Sequence, residues 1–303
     1  MYMFLKGLVD LLKSHDTVTD HTVFRMHYRY SVALIALCSV LVGANQYFGD
    51  PISCKNTSAL PGGMLNTYCW IHGTWTIAEL NTNRWVTELS HPGMGRFNPR
   101  VHTKIHHRYY QWVPIMLALS ALAFYVPRQI WKAAEGGAIH NMVQGLKFPN
   151  YRDKKADQKA VDSLFHYVSY DRRRHQVRAY TFIVCEVLNL AGIITQWFLA
   201  DALLNGEFTT YGSRFFAYYR GADDESAVNP ADLIFPKMGS CSFKQYGRSG
   251  SIESVETMCI LPQNIVNEKI ALVIWLWFII LGILTLLSIL FRVLLLFVPP
   301  VRK

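Results

Sequence analysis

The sequence predicts an all-α membrane protein. Four transmembrane helices are joined by two disulfide-stapled extracellular loops and one cytoplasmic loop. Three observations carry this reading. Apolar residues make up 51% of the 303, but they gather in four blocks, whereas a soluble domain disperses them at helix or strand period. The stretches between the blocks are long and polar, which holds the mean hydropathy at +0.14. Four cysteines stand in the first and third of these stretches, and none in the second or at the termini.

The chain opens with a cytoplasmic amphipathic helix, expected within residues 1–27. Phe4, Leu5, Leu8, Leu11 and Leu12 oppose Lys6, Asp10 and Lys13. Met1–Lys13 is too short and too interrupted by charge for the apolar core of a signal peptide. Such a helix either lies on the membrane surface or folds into a pore. The blocks follow at 28–48, 109–127, 180–199 and 270–298. Crossing the hydrocarbon takes about 20 apolar residues, so the first three fit and the fourth has residues to spare. Tyr28, Tyr30, Tyr47, Tyr109, Tyr110, Trp112, Tyr125, Trp275 and Trp277 cluster near block ends, where amphipathic rings meet the headgroups.

The connecting segments are extracellular loop 1 (49–108), a cytoplasmic loop (128–179) and extracellular loop 2 (200–269). A cytoplasmic stub (299–303) closes the chain. The middle loop is basic, from Lys132 and Lys147 through Lys154 and Lys155 to Arg172, Arg173, Arg174 and Arg178, which places it and the termini inside. Arg100, Lys104 and Arg108 argue the other way. The cysteines decide. Cys38 and Cys185 lie inside spans as small apolar packing residues, while Cys54, Cys69, Cys241 and Cys259 fall on one side of the membrane. That restriction points to two disulfides in an oxidising compartment, and spacing leaves all three connectivities open.

Other motifs carry competing chemistry. A helix would put His102, His106 and, less well, His107 near one face, as in the boxes of membrane di-iron enzymes. The remaining eight histidines are scattered singly, so a polar helix extension at the membrane surface is the better reading, and neither enzyme activity, metal nor cofactor is expected. Glu186, Asn189 and Gln196 line one face of the third span. Intramembrane carboxylates face the bundle or water, and interhelical hydrogen bonding is favoured here over an ion pathway. Arg292 is placed to snorkel to the inner interface. Asn56-Thr57-Ser58 is a glycosylation sequon whose closeness to Cys54 disfavours its use. Leu60-Pro-Gly-Gly and Arg248-Ser-Gly read as turns. The net charge of +9 suits basic inner surfaces on anionic lipid rather than nucleic acid.

Tyr109, Tyr110, Gln111, Trp112, Val113 and Pro114 spell YYQWVP, which resembles the signature of the innexin family. The resemblance extends to QYFGDPISC (Gln46–Cys54), NTYCWIHGT (Asn66–Thr74), FPKMGSCSFKQYGRSGS (Phe235–Ser251), CILPQNIVNEKI (Cys259–Ile270) and FRMHY (Phe24–Tyr28). Two cysteines per outer loop also match innexins and the related pannexins, against three in connexins. Innexins usually continue into a cytoplasmic tail, whereas this chain stops at Lys303.

The resemblance implies a gap junction channel subunit at the plasma membrane. A ring of copies, expected as an octamer, would surround a wide pore and dock with a second ring on the apposed cell. Ions and small hydrophilic molecules would pass, with other innexins as further partners. It also implies bridges from Cys54 to Cys259 and from Cys69 to Cys241. Pore-lining candidates are Tyr2, Lys6, Asp10 and Lys13, then Ser39, Gly43 and Gln46. The alternatives are a pannexin-like unpaired hemichannel, a non-conducting adhesion protein and the histidine-box enzyme.

Overall fold

The computed structural model describes residues 20–55, 62–81, 91–137, 172–221, 228–247 and 249–297, with Asp162 and Phe165 besides. In chain order, α1 (Thr22–Phe48) is followed by β1 (Ser53–Cys54), α2 (Gly62–His72), β2 (Thr74–Ile77) and β3 (Lys104–His107). Then come α3 (Val113–Glu135), α4 (Arg172–Leu203), α5 (Phe208–Tyr219) and α6 (Pro230–Ile234). The hairpin β4 (Met238–Tyr246) and β5 (Ile252–Ile260) leads into α7 (Pro262–Phe297). Four of these helices, α1, α3, α4 and α7, are long and apolar enough to cross a membrane.

The long helices outrun their apolar blocks for local reasons. α1 begins before its block and contains a π-helical turn over Met26–Ser31, where the Ser31 hydroxyl donates to the Met26 carbonyl at 3.0 Å. α3 starts only after a 3₁₀ turn at Tyr109–Gln111, and it continues through Pro127. It stops where Gly136 and Gly137 take φ of 62° and 74°, the left-handed backbone that ends helices. Within the chain only 22–33% of each span is buried. Leu37 and Leu41 of α1, Leu119 and Leu122 of α3, and Leu287 and Leu294 of α7 are exposed. Apolar surface of that extent requires lipid or protein neighbours.

The chain divides into two compact units. The first draws on Met1–Ala36, Leu119–Gln196 and Phe278–Lys303. Its core gathers Phe24, Tyr28, Trp131, Phe182 and Cys185, with Phe182 edge-on to Trp131 at 4.7 Å. The second draws on Leu37–Ala118 and Trp197–Trp277. It holds a five-stranded antiparallel sheet of order β1-β5-β4-β2-β3. The all-α expectation therefore holds for the spans but not for the loops. In β4, Gly239, Cys241 and Phe243 alternate inward against Met238, Ser240 and Ser242, the period-two pattern of a half-buried strand. Gly239 is required by close packing, since a Cβ there would lie 2.9 Å from the Thr74 side chain.

The second unit's core is built on its cysteines. Cys54 bonds to Cys259 and Cys69 to Cys241, and all four are buried with Ile52, Leu65, Tyr110, Phe243 and Leu261. Peptide mapping without reduction should recover these two links. Serine at Cys69 or Cys241 should destabilise the unit by about 2–5 kcal/mol and lower the yield of assembled protein. Free thiols, or bridges confined within each loop, would contradict this arrangement.

Candidate functional site

The histidine run does not form a helix. Lys104–His107 is strand β3, paired with β2 in the register Thr74↔His107, Trp75↔His106, Thr76↔Ile105 and Ile77↔Lys104. Alternation along a strand sends neighbouring imidazoles to opposite faces, so no metal-binding face forms. His106 is exposed and His107 buried. His107 Nε2 hydrogen-bonds Thr76 Oγ1 at 2.8 Å. His102 Nδ1 accepts from the Asn98 backbone at 3.2 Å. The Lys104 ammonium lies 3.6 Å from the Trp75 ring centroid and 4.2 Å from that of Phe97. Burial, and secondarily the charge of His106, push His107 down to about 4.

The segment Tyr109–Pro114 forms the joint between this sheet and α3. Tyr110 is fully buried and stacks on Trp70 at 4.6 Å. Burial pushes its phenol up to about 12. Tyr109 donates to the Ile234 carbonyl at 3.2 Å and lies edge-on to Phe235, and burial raises its pKa too. The Gln111 amide donates to the Trp70 carbonyl at the end of α2. Trp112 remains exposed. The Pro114 carbonyl accepts from Ser39 of α1 at 2.8 Å.

That last bond places two pore candidates. Ser39 and Gly43 are half-buried, and a Cβ on Gly43 would meet the Pro114 ring carbon at 3.9 Å, so this face of α1 packs on α3 of the same subunit. Gln46 is also half-buried, its Oε1 enclosed without a partner among the described residues. Tyr2, Lys6, Asp10, Lys13 and Asn56 lie outside the described residues.

The β4–β5 hairpin ends in a tight turn. Gly247 N–H donates to Ser251 O at 2.8 Å, and Gly250 takes φ of 77°. Tyr246 and Ile252, which pair across that turn, are 80% and 68% exposed. Trp197 and Trp275 close together at 6.2 Å, and both indoles donate to Thr209, to its hydroxyl and its carbonyl respectively.

Within the spans Gln196 and Glu186 find partners inside the chain. Gln196 accepts from Ser120 at 2.6 Å, Asn189 is buried, and Glu186 accepts from Ser288 at 3.2 Å. Arg292 has a partner within the chain. Its guanidinium pairs with Glu186 and covers the Phe182 ring at 4.6 Å. The Glu186 side chain is 3% exposed and that of Arg292 32%. Cys38 and Cys185 are buried free thiols. The strands and this ion pair escaped sequence reasoning. The alternation in 238–246 announced the first, whereas nothing in linear order announces the second.

Comparison with known proteins gives one consistent result. The innexin family model matches residues 20–303. Innexin shaking-B of Drosophila melanogaster is 39% identical over 302 residues, covering 100% of this chain and 81% of its own length. Innexin inx2 of the same organism is 40% identical over 303 residues, covering 100% and 82%. Innexin inx2 of Schistocerca americana is 38% identical over 293 residues, covering 96% and 80%.

His107 gives the sheet a signed pH dependence. Its folded pKa lies below the unfolded value of 6.5, so the unfolded chain takes up the proton. The neutral imidazole's contribution is complete above about 6.5 and is lost as pH falls through that value toward 4, a span on the order of 3 kcal/mol. Thermal melts of purified protein from pH 7.5 to 4.5 should fall more steeply for the parent than for His107→Gln. Equal slopes would show that His107 is not the responsible group.

Proposed function

The chain belongs to the innexin family, and from that premise we propose a gap junction channel in which eight copies ring a central pore and dock with a second ring on the apposed cell. It is a multi-pass membrane protein of cell junctions, a subunit of an oligomeric channel that conducts ions and small hydrophilic molecules. The observation that carries the reading is the match over residues 20–303 in a chain whose two disulfides tie the first and third loops into one sheet. A rigid sheet that presents an exposed hairpin tip suits end-to-end contact between rings, because little has to be ordered on docking.

Both termini and the basic middle loop lie in the cytoplasm, and the cross-linked loops lie outside, where disulfides persist. The N-terminal residues Tyr2, Lys6, Asp10 and Lys13 line the cytoplasmic mouth, and α1 contributes wall beside Ser39, Gly43 and Gln46. A single four-helix subunit has too little interior for a wide aqueous path, which therefore runs along the symmetry axis. Other innexins can share the ring. No enzyme chemistry enters this reading, which needs neither cofactor nor metal.

Paired cells that each express the chain should become electrically coupled, and Asp10→Lys should change single-channel conductance without loss of surface expression. Asn56→Gln should leave junctional current unchanged if the sequon is empty, and raise it if a glycan holds the rings apart. Surface channels that conduct without any junctional current, in both the parent and Asn56→Gln, would assign the chain to unpaired hemichannels. Cell contact without conductance of either kind would assign it to adhesion.

A further inference from the structure

Two residues at the foot of α1 are held in different directions. Asp20 pairs with Arg128 of α3 at 3.2 Å, and the Arg128 guanidinium covers the Tyr28 ring at 4.8 Å. His21 turns instead to α4 and α7. Its Nε2 lies 3.0 Å from Ser288 Oγ and 3.2 Å from Glu186 Oε1, and its Nδ1 lies 3.4 Å from Arg292 Nη2. One neutral tautomer, with hydrogen on Nε2, meets both sides: Nε2–H faces the carboxylate and Nδ1 accepts from the guanidinium.

Three features distinguish this contact from ordinary packing. Glu186 is 3% exposed but keeps Ser288 and Arg292 as partners if His21 leaves. Release therefore breaks hydrogen bonds and strands no buried charge, which is the expensive event. The His21 side chain is itself 30% exposed, so water can replace its bonds. Finally, a single α-helical turn, Thr22–Arg25, separates it from the π-helical turn Met26–Ser31. Local π geometry within an α-helix often marks a functional site. That turn is pinned from within, because His27 Nε2 meets Thr285 Oγ1 at 2.8 Å. Thr285, Ser288 and Arg292 follow at spacings of three and four on α7, one face of a helix. Latch, lever and pivot thus lie in sequence order along one seam.

We propose that His21 is a releasable latch that joins the foot of α1 to Glu186 and Arg292, and that its release about the Met26–Ser31 pivot is a step in channel gating. The gating part rests on the channel reading above, and the latch part does not. Ser288→Cys would place a thiol beside His21 and Glu186, completing a site for Cd²⁺. The variant is made in a background with Cys38 and Cys185 replaced by alanine.

In inside-out patches, Cd²⁺ on the cytoplasmic face should slow voltage-driven opening and closing of Ser288→Cys hemichannels several-fold. It should leave the parent background and the Ser288→Cys, His21→Ala double variant unchanged. On purified protein, Cd²⁺ should protect the introduced thiol from maleimide only when His21 is present. No protection would refute the latch geometry. Protection without any change in gating kinetics would refute the gating role. Parent protein that reaches the surface but carries no current would sink the channel reading and the gating step together, with the latch still decided by protection.

Discussion

Cys54 and Cys259 are separated by 205 positions in sequence, and Cys69 and Cys241 by 172, but all four share one apolar core. Everything in the second unit depends on that constraint. β1 has only two residues and pairs with β5 where Cys54 faces Cys259. A strand so short cannot hold its register by backbone bonds alone, so the covalent link serves as its anchor. The other link fixes α2 against β4. Between these anchors the β4–β5 hairpin is free to extend its tip, because its base cannot slip. Slippage by one residue would turn Cys241 and Phe243 out of the core.

A comparable constraint acts in the first unit, although it is electrostatic. Glu186 is buried in an apolar span, where a carboxylate without partners is expensive. Arg292, Ser288 and His21 are its partners, from α7 and from the residue before α1. Removing Arg292 would leave the carboxylate with two neutral partners, so the pair is more sensitive to single substitution than either residue's burial suggests. Phe182 beneath the guanidinium also packs on Phe24 and Trp131, which ties the ionic and aromatic parts of this core together.

How much of this could be read from the chain follows from which interactions are local. The four spans were legible because length and apolarity are properties of contiguous residues. Their ends were less so, since Pro127 looks like a stop but sits mid-helix in α3. Spacing showed that Glu186 and Gln196 share a face, but not that Arg292 would turn to one and Ser120 to the other. The sheet was missed for a related reason. Short polar strands such as Thr74–Ile77 and Lys104–His107 are stabilised by partners far along the chain, and His102 and His106 fit a helical face equally well until those partners are known. The disulfide pairing likewise came from family resemblance, as spacing left three choices.

The YYQWVP segment shows what a family signature can mean physically. Tyr110 and Gln111 both fasten to Trp70, one by stacking and one by a hydrogen bond to its carbonyl. Tyr109 reaches the end of α6, and the Pro114 carbonyl serves Ser39. Each of these side chains or carbonyls is committed within one subunit, and replacing Gln111 would leave the Trp70 carbonyl without that donor. Trp112 is the exception, 57% exposed with no such commitment among the described contacts. An amphipathic indole one residue before a span is suited to the headgroup layer. The signature is therefore, in its other residues, a folding joint. The joint residues fix where α3 begins relative to the sheet it leaves.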